Sequence, residues 1–161
     1  MIERTKTILC PVDFSDYSAL ALQYAGALAE HYNACLVVYH CVPGQPQGSS
    51  RTVNRQKHAY QDLEKFAIEN LPVDAEPRYI VEFGEDPSTG ILLRPKLRKA
   101  DLIVMGTHGF RGQETMLTGS VTGKVLHESP VPVLTVCKPI RNFVPNMVGE
   151  QLQIKKILCA V

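Results

Sequence analysis

Short apolar runs alternate with longer amphipathic segments along most of this chain. The segments between the runs place apolar residues at helical spacing, which predicts helices over 15–32, 51–71, 86–100 and 120–128. Apolar strands that alternate with helices indicate a mostly parallel sheet covered on both faces, so we predict a doubly wound α/β domain. The predicted strands are TILCPV (7–12), ACLVVYHCV (34–42), PRYIVEF (77–83), DLIVMG (101–106) and VPVLTVCK (131–138).

Three local signals refine the predicted helices. Ser15 stands where a helix cap is expected, and Pro95 inside the third helix predicts a kink or an early stop. The periodicity of the second helix places four residues on its inner face, namely Tyr60, Leu63, Phe66 and Ala67.

Length and charge limit the domain count and the class of partner. A chain of 161 residues with 45% apolar content is long enough for one compact domain, which we place at 1–138. Seventeen basic and sixteen acidic residues give a net charge of +1 without a basic stripe, which argues against nucleic acid or a membrane surface as partner. The N-terminus lacks the apolar core of a signal peptide, so we expect a cytoplasmic protein.

The five cysteines show no spacing typical of a metal site. Each lies in or beside an apolar run, so we predict buried, reduced thiols rather than disulfides or zinc ligands. They are Cys10, Cys35, Cys41, Cys137 and Cys159. The sequence indicates no metal ligand set and no catalytic residue.

A glycine-rich segment, GTHGFRGQETMLTGSVTGK (106–124), follows the fourth predicted strand. Ligands of such sheets bind at the carboxyl ends of the strands. Glycine lets backbone N–H groups approach a phosphate closely, and a helix N-terminus adds partial positive charge. The glycines could instead serve only as turns. Their number in this position favours anion binding.

Two common nucleotide motifs do not fit this segment. A P-loop requires a glycine five residues before Gly123 and a hydroxyl after Lys124, where the chain has Thr118 and Val125. The dinucleotide fingerprint requires its glycines after the first strand, whereas these follow the fourth. A Rossmann dehydrogenase and a P-loop enzyme are therefore disfavoured.

The spacing Gly106-x2-Gly109-x9-Gly119-Ser120, with Asp13 after the first strand, closely resembles the ATP-binding branch of the universal stress protein family. VMGTHG, GSVT and PVLTV follow in the family's order, and the resemblance covers residues 5–138. It implies a five-stranded parallel sheet of strand order 3-2-1-4-5 with helices on both faces, of the adenine nucleotide alpha hydrolase-like type. The implied cofactor is ATP, with magnesium or manganese carried by the nucleotide.

The resemblance also implies which residues contact the nucleotide. The adenosine moiety would lie against the end of the first strand, and the backbone of Cys41 would hydrogen-bond the adenine. Glycines after the fourth strand would contact ribose and phosphates, and the start of the next helix would hold the phosphates. The implied site comprises Pro11, Val12, Asp13, Cys41, Gly106, His108, Gly109, Gly119, Ser120, Val121 and Thr122.

Several of these residues have a simpler alternative role. Asp13 could cap the first helix, and His40 is expected to be a packed histidine. Nothing near His108 in sequence orients a general base, so catalysis there is a minority interpretation. Arg111 and Lys124 could neutralise phosphates or be solvated surface charges.

The C-terminal residues repeat the first strand. IKKILCAV (154–161) echoes TKTILCPV (5–12) at a displacement of 149 positions, the length of one domain. We therefore predict a linker over 139–153 and the start of a second universal stress domain at 154–161, so that this chain is the first domain of a tandem protein. The segment 154–161 is expected either to be disordered or to pair with an available sheet edge.

Three functions remain open at this point. The leading one is an ATP-binding stress-response protein that acts as a nucleotide-dependent switch or adaptor. The others are a weak ATPase and a dimeric interaction module that binds no nucleotide. The resemblance implies pairing through the last strand, as a homodimer or as a pseudo-dimer with the second domain. A flavodoxin-type domain is disfavoured because DFSDYS after the first strand is anionic.

Overall fold

The computed structural model describes residues 6–45, 50–98, 100–108 and 119–137. Five strands alternate with four helices along them. In chain order the elements are β1 (Thr7–Pro11), α1 (Asp16–Tyr32), β2 (Cys35–Pro43), α2 (Ser50–Asn70), β3 (Arg78–Gly84), α3 (Pro87–Arg98), β4 (Leu102–Gly106), α4 (Ser120–Glu128) and β5 (Val133–Val136). The predicted linker and the segment 154–161 lie outside the described residues.

The five strands form one parallel sheet in the order β3-β2-β1-β4-β5, which confirms the predicted fold class. β1 lies at the centre, with Ile8 paired to Leu36 of β2 and to Leu102 of β4. The strand order reverses at β1, so the carboxyl ends of β1 and β4 form the edge at which ligands of such sheets bind.

Two apolar clusters cover the two faces of the sheet. On one face α1 and α2 pack over Ile8, Val38 and Val104, and on the other α3 and α4 pack over Leu9 and Ile103. The three central strands, β1, β2 and β4, are buried along most of their length, because apolar residues occupy the positions that face each side of the sheet. The edge strands β3 and β5 are only partly buried. The sequence therefore has wholly apolar runs where an exposed sheet would show alternation.

Three local expectations required correction. Tyr60 of α2 is 43% exposed and lies edge-on to Tyr79 rather than in the core, whereas Leu63 and Ala67 are buried as predicted. Pro95 does not stop α3, which continues to Arg98. Of the four described cysteines, Cys137 is exposed and Cys10 is buried, so the prediction of uniformly buried thiols was wrong.

Candidate functional site

Side chains of the turn from β1 into α1 form hydrogen bonds with one another and with the first turn of the helix. Ser15 caps α1, since its Oγ accepts a hydrogen bond from Ser18 N at 3.2 Å. Asp13 supports this cap: its Oδ1 accepts from Ser15 Oγ at 2.6 Å and from Ser15 N at 3.2 Å. Asp13 is therefore not the cap itself. Asp13 is exposed, and it orients Ser15, which is the cap.

Phe14 bends the chain between β1 and α1. Its φ of 65° lies in the left-handed region that residues other than glycine rarely adopt. The Phe14 ring packs against His40 at a centroid distance of 4.4 Å and against Phe66 at 5.4 Å. His40 is half-buried, and its Nδ1 lies 2.9 Å from Val12 O. These contacts support the interpretation of His40 as a packed histidine.

Cys41 lies in β2, two residues after the last residue of this strand that pairs with β1. That last pair is Pro11 with Tyr39, and Val12 N donates to Tyr39 O at 2.8 Å. In a parallel strand the N–H and C=O groups of alternate residues point to the same side. The backbone groups of Cys41 therefore face the β1 side, past the point where the β1–β2 ladder ends.

The Cys41 side chain is half-buried on the face covered by α3. Its Sγ lies 3.7 Å from Gly84 O, to which the thiol donates. Burial raises the pKa of this thiol, so it stays protonated at neutral pH. We therefore expect a ligand at Cys41 to contact its backbone N–H and C=O groups rather than its thiol.

Gly106, the last residue of β4, allows α1 to approach the sheet closely. A Cβ added there would lie 2.8 Å from Tyr17 Cβ and 3.0 Å from Tyr17 O, closer than real contacts allow. This glycine is therefore required by packing, whatever it contributes to a ligand. Its carbonyl accepts a hydrogen bond from Thr122 Oγ1 at 2.9 Å, and Thr122 is buried.

The start of α4 lacks the side-chain cap that α1 has. Gly119 occupies the cap position with φ −65° and ψ 156°, and it supplies no side-chain acceptor. The first backbone bond within α4 joins Gly123 N to Gly119 O at 2.8 Å. Among the described residues, no carbonyl stands one turn before the N–H groups of residues 120–122. Ser120 is exposed at this end, and Val121 is half-buried.

Two backbone hydrogen bonds connect Gly119, the residue before α4, through Thr107 to the end of β5. Gly119 N donates to Thr107 O at 2.7 Å, and Thr107 N donates to Val136 O of β5 at 2.9 Å. His108 is half-buried, with its Nδ1 3.0 Å from Thr107 Oγ1 and its ring 5.2 Å from that of Tyr17. Gly109, also predicted to contact the nucleotide, lies outside the described residues.

Asp86, which sequence reasoning missed, links α3 to α4. It caps α3 by accepting from Ser88 N at 2.9 Å and Ser88 Oγ at 2.6 Å, and its Oδ2 lies 2.7 Å from Lys124 Nζ. The hydrogen bond from Lys124, with those from Ser88, lowers the pKa of Asp86 to about 2. The sequence DPS, a cap residue followed by proline at the first helical position, is the signal that could have revealed it.

An ion pair between a buried arginine and a partly exposed glutamate joins α3 to the sheet and was also not anticipated. Arg94 of α3 pairs with Glu82 of β3, and its guanidinium carbon lies 5.7 Å from the centroid of the Tyr39 ring. Gly90 makes room for this ring, because a Cβ there would overlap the Tyr39 hydroxyl. The group anchors α3 against β2 and the edge strand β3.

The described part of the chain contains neither a cluster of metal-binding side chains nor a membrane-spanning helix. No three or more His, Cys, Asp or Glu side chains come together there to hold a metal ion. None of its helices is long and apolar enough to cross a membrane.

Comparisons with known proteins identify the family and the fold. A model of the universal stress protein family matches residues 4–136. A universal stress protein of Thermus aquaticus, named for its position in the QAH/OAS sulfhydrylase 3′ region, is 34% identical over 134 residues. That match covers 81% of this chain and 98% of the relative.

Solved structures share the fold. Hypothetical protein MJ0577, studied for structure-based assignment of its biochemical function, gives a TM-score of 0.72 at 26% identity, covering 85% of this chain and 99% of that one. A universal stress protein in complex with cAMP gives 0.66 at 23%, covering 83% and 97%. One from Archaeoglobus fulgidus in complex with dAMP gives 0.58 at 20%, covering 81% and 96%.

Proposed function

The chain belongs to the universal stress protein family, and we propose that it binds ATP and acts as a nucleotide-dependent switch or adaptor in the stress response. The observation that carries this proposal is the start of α4. Its first N–H groups follow Gly119, which offers no side chain to occupy them, and they lie at the carboxyl edge beside the end of β4, where Thr122 Oγ1 donates to Gly106 O. A helix end of this kind favours a phosphate.

The adenine end of the proposed site is formed by β2. The backbone N–H and C=O of Cys41 face the β1 side after the ladder has ended, so a donor and an acceptor stand next to each other there. Adenine offers a complementary donor and acceptor on its Watson–Crick edge. Pro11, Val12 and Asp13 would then lie against the adenosine, as the family resemblance implies.

The known relatives support an adenine nucleotide as the ligand class. Two structures of the same fold were solved with cAMP and with dAMP. The triphosphate and its magnesium or manganese ion are our extension. The ion would arrive with the nucleotide and neutralise phosphate charge, and Ser120, exposed at the start of α4, offers the nearest described hydroxyl on that helix.

Calorimetric titration with Mg-ATP tests the proposal. We compare the native chain with Gly119→Val, whose side chain should block backbone approach to the phosphates while its β-region φ and ψ suit valine. The matched control is Gly123→Val, one turn further along α4, where an added Cβ would meet nothing within 4 Å in the described part of the chain. We expect Gly119→Val to weaken binding about tenfold or more, and Gly123→Val to change it less than twofold.

A native chain that binds no Mg-ATP would overturn the nucleotide function. That result would favour a second candidate, an interaction module that binds no nucleotide. The close packing of Gly106 on Tyr17 is the observation behind this alternative, because it explains one motif glycine without any ligand. Weak hydrolysis is a further extension of ATP binding, since Thr107 is placed to orient His108.

We also propose that this chain is the first of two universal stress domains and pairs through β5 as a homodimer or with the second domain. The repeat of ILC-x-V at positions 8–12 and 157–161 supports the tandem arrangement. β5 is an edge strand whose outer backbone groups could take a further strand. Sedimentation of the native chain and of Leu134→Lys would test pairing, with a shift to monomer expected in the variant.

A further inference from the structure

Lys124 stands at the junction of two helix N-termini. α3 and α4 pack side by side on the same face of the sheet, and both begin at its carboxyl edge. Lys124 lies four residues after Ser120, so the two side chains share one face of α4. Long side chains in helices lean toward the N-terminus, which directs the ammonium of Lys124 toward the proposed phosphate site.

The ammonium of Lys124 contacts the carboxylate of Asp86 at 2.7 Å. Both side chains are more than two-fifths exposed, so this ion pair contributes little to stability and separates at small cost. Asp86 would keep its bonds from Ser88 if Lys124 moved away, so the cap of α3 does not depend on the pair.

We propose that Lys124 determines how strongly the site prefers a triphosphate over a monophosphate, by leaving Asp86 for the terminal phosphates. This inference rests on the proposed function and adds a specificity residue to it. A phosphate at the start of α4 competes with Asp86 for one cation. A triphosphate extends further and carries more charge than AMP, so it competes more effectively.

The competition has a consequence of definite sign. If Asp86 holds Lys124 away from the ligand, then neutralising Asp86 strengthens ATP binding. If the ion pair only fixes the position of α4, the same change weakens binding of every nucleotide. Asn is a suitable replacement because it caps helices as well as Asp does.

The experiment measures dissociation constants for Mg-ATP and AMP by calorimetry. The proteins are the native chain, Asp86→Asn, Lys124→Gln and the double variant, with thermal unfolding as a check of the fold. We expect Lys124→Gln to weaken ATP binding about fivefold to tenfold and AMP binding less than twofold. Asp86→Asn should tighten ATP binding about threefold, and should have no effect in the Lys124→Gln background.

Three results would overturn the inference: weaker ATP binding by Asp86→Asn, equal effects on ATP and AMP, or tighter binding by Asp86→Asn that persists without Lys124. Each leaves ATP binding itself intact. A native chain that binds neither nucleotide would instead overturn the proposed function and this inference with it, so the two failures are distinguishable.

Discussion

The turn from β1 into α1 and the entry into α4 occupy the same edge of the sheet but are built in opposite ways. At α1, the hydroxyl of Ser15 occupies an N–H of the first turn, and Asp13 holds that hydroxyl in place. At α4, Gly119 occupies the equivalent position without a side chain. One helix end is satisfied by a side chain of the protein, and the other is the end at which we propose that a phosphate binds.

If the start of α4 binds phosphate, as we propose, this difference separates stability from binding within one fold. Side-chain caps stabilise a helix by accepting hydrogen bonds from its first N–H groups. α3 also has such a cap, Asp86. A cap on α4 would gain a little stability but would occupy the groups that a phosphate needs.

The largest effect is expected from giving α4 the cap that it lacks. Gly119→Asp would place a carboxylate over the first N–H groups of the helix and repel phosphate. We expect ATP affinity to fall about 100-fold, or ~2.7 kcal/mol, while the free energy of unfolding stays the same or rises by a few tenths of a kcal/mol. Calorimetry and thermal unfolding measure both. Binding within twofold of the native value would contradict the phosphate assignment.

A second large effect concerns the glycine that precedes this entry. Gly106→Ala would force a methyl group against Tyr17 and its backbone. We expect the free energy of unfolding to fall by about 1–3 kcal/mol, measured by urea titration. Gly123→Ala serves as the control, because the same added methyl group in open helix should raise stability by about 0.5–1 kcal/mol.

A moderate effect is expected at the closed helix end. Ser15→Ala removes the cap of α1 and leaves Asp13 without its hydroxyl partner. The free energy of unfolding should fall by about 1 kcal/mol, with ATP affinity changed less than the Gly119 variants change it. Loss of binding equal to that of Gly119→Asp would mean that the two ends do not have separate roles.

The smallest effect is a dependence of stability on pH at the other capped helix, α3. The pKa of Asp86 is lowered from 3.8 to about 2 in the folded protein, so its stabilisation is complete above pH 3.8 and is lost as pH falls toward 2. The pair with Lys124 is exposed, so we expect about 0.2–1 kcal/mol. Denaturation of Asp86→Asn and the native chain should differ at neutral pH and converge near pH 2.

The fold could be predicted because its evidence is local. The apolar runs place β1 to β5 within one or two residues of their observed bounds, and Ser15 identifies the start of α1. Strand order came instead from the family resemblance, since periodicity alone cannot tell which strands are neighbours.

The site was only partly predictable because some of its contacts connect distant segments. Gly106 was assigned to the ligand, but its close packing on Tyr17 depends on the separation of α1 and β4, which no sequence window contains. Arg94 was missed for the same reason, because its partner Glu82 lies on a strand. Asp13 and Thr122 were assigned to the nucleotide, but the sequence cannot tell which neighbour a carboxylate or hydroxyl bonds. In the structure Asp13 bonds Ser15, and Thr122 bonds the carbonyl of Gly106.

The bond between Gly119 N and Thr107 O has a consequence for protein engineering. It joins two residues that are separated by eleven intervening residues in the sequence, so both ends of that stretch are held together. Chain added between two joined points costs little entropy, about 0.6 kcal/mol for each doubling of its length. A reporter domain inserted between these anchors would therefore be carried directly beside the proposed phosphate position, where it could signal nucleotide occupancy.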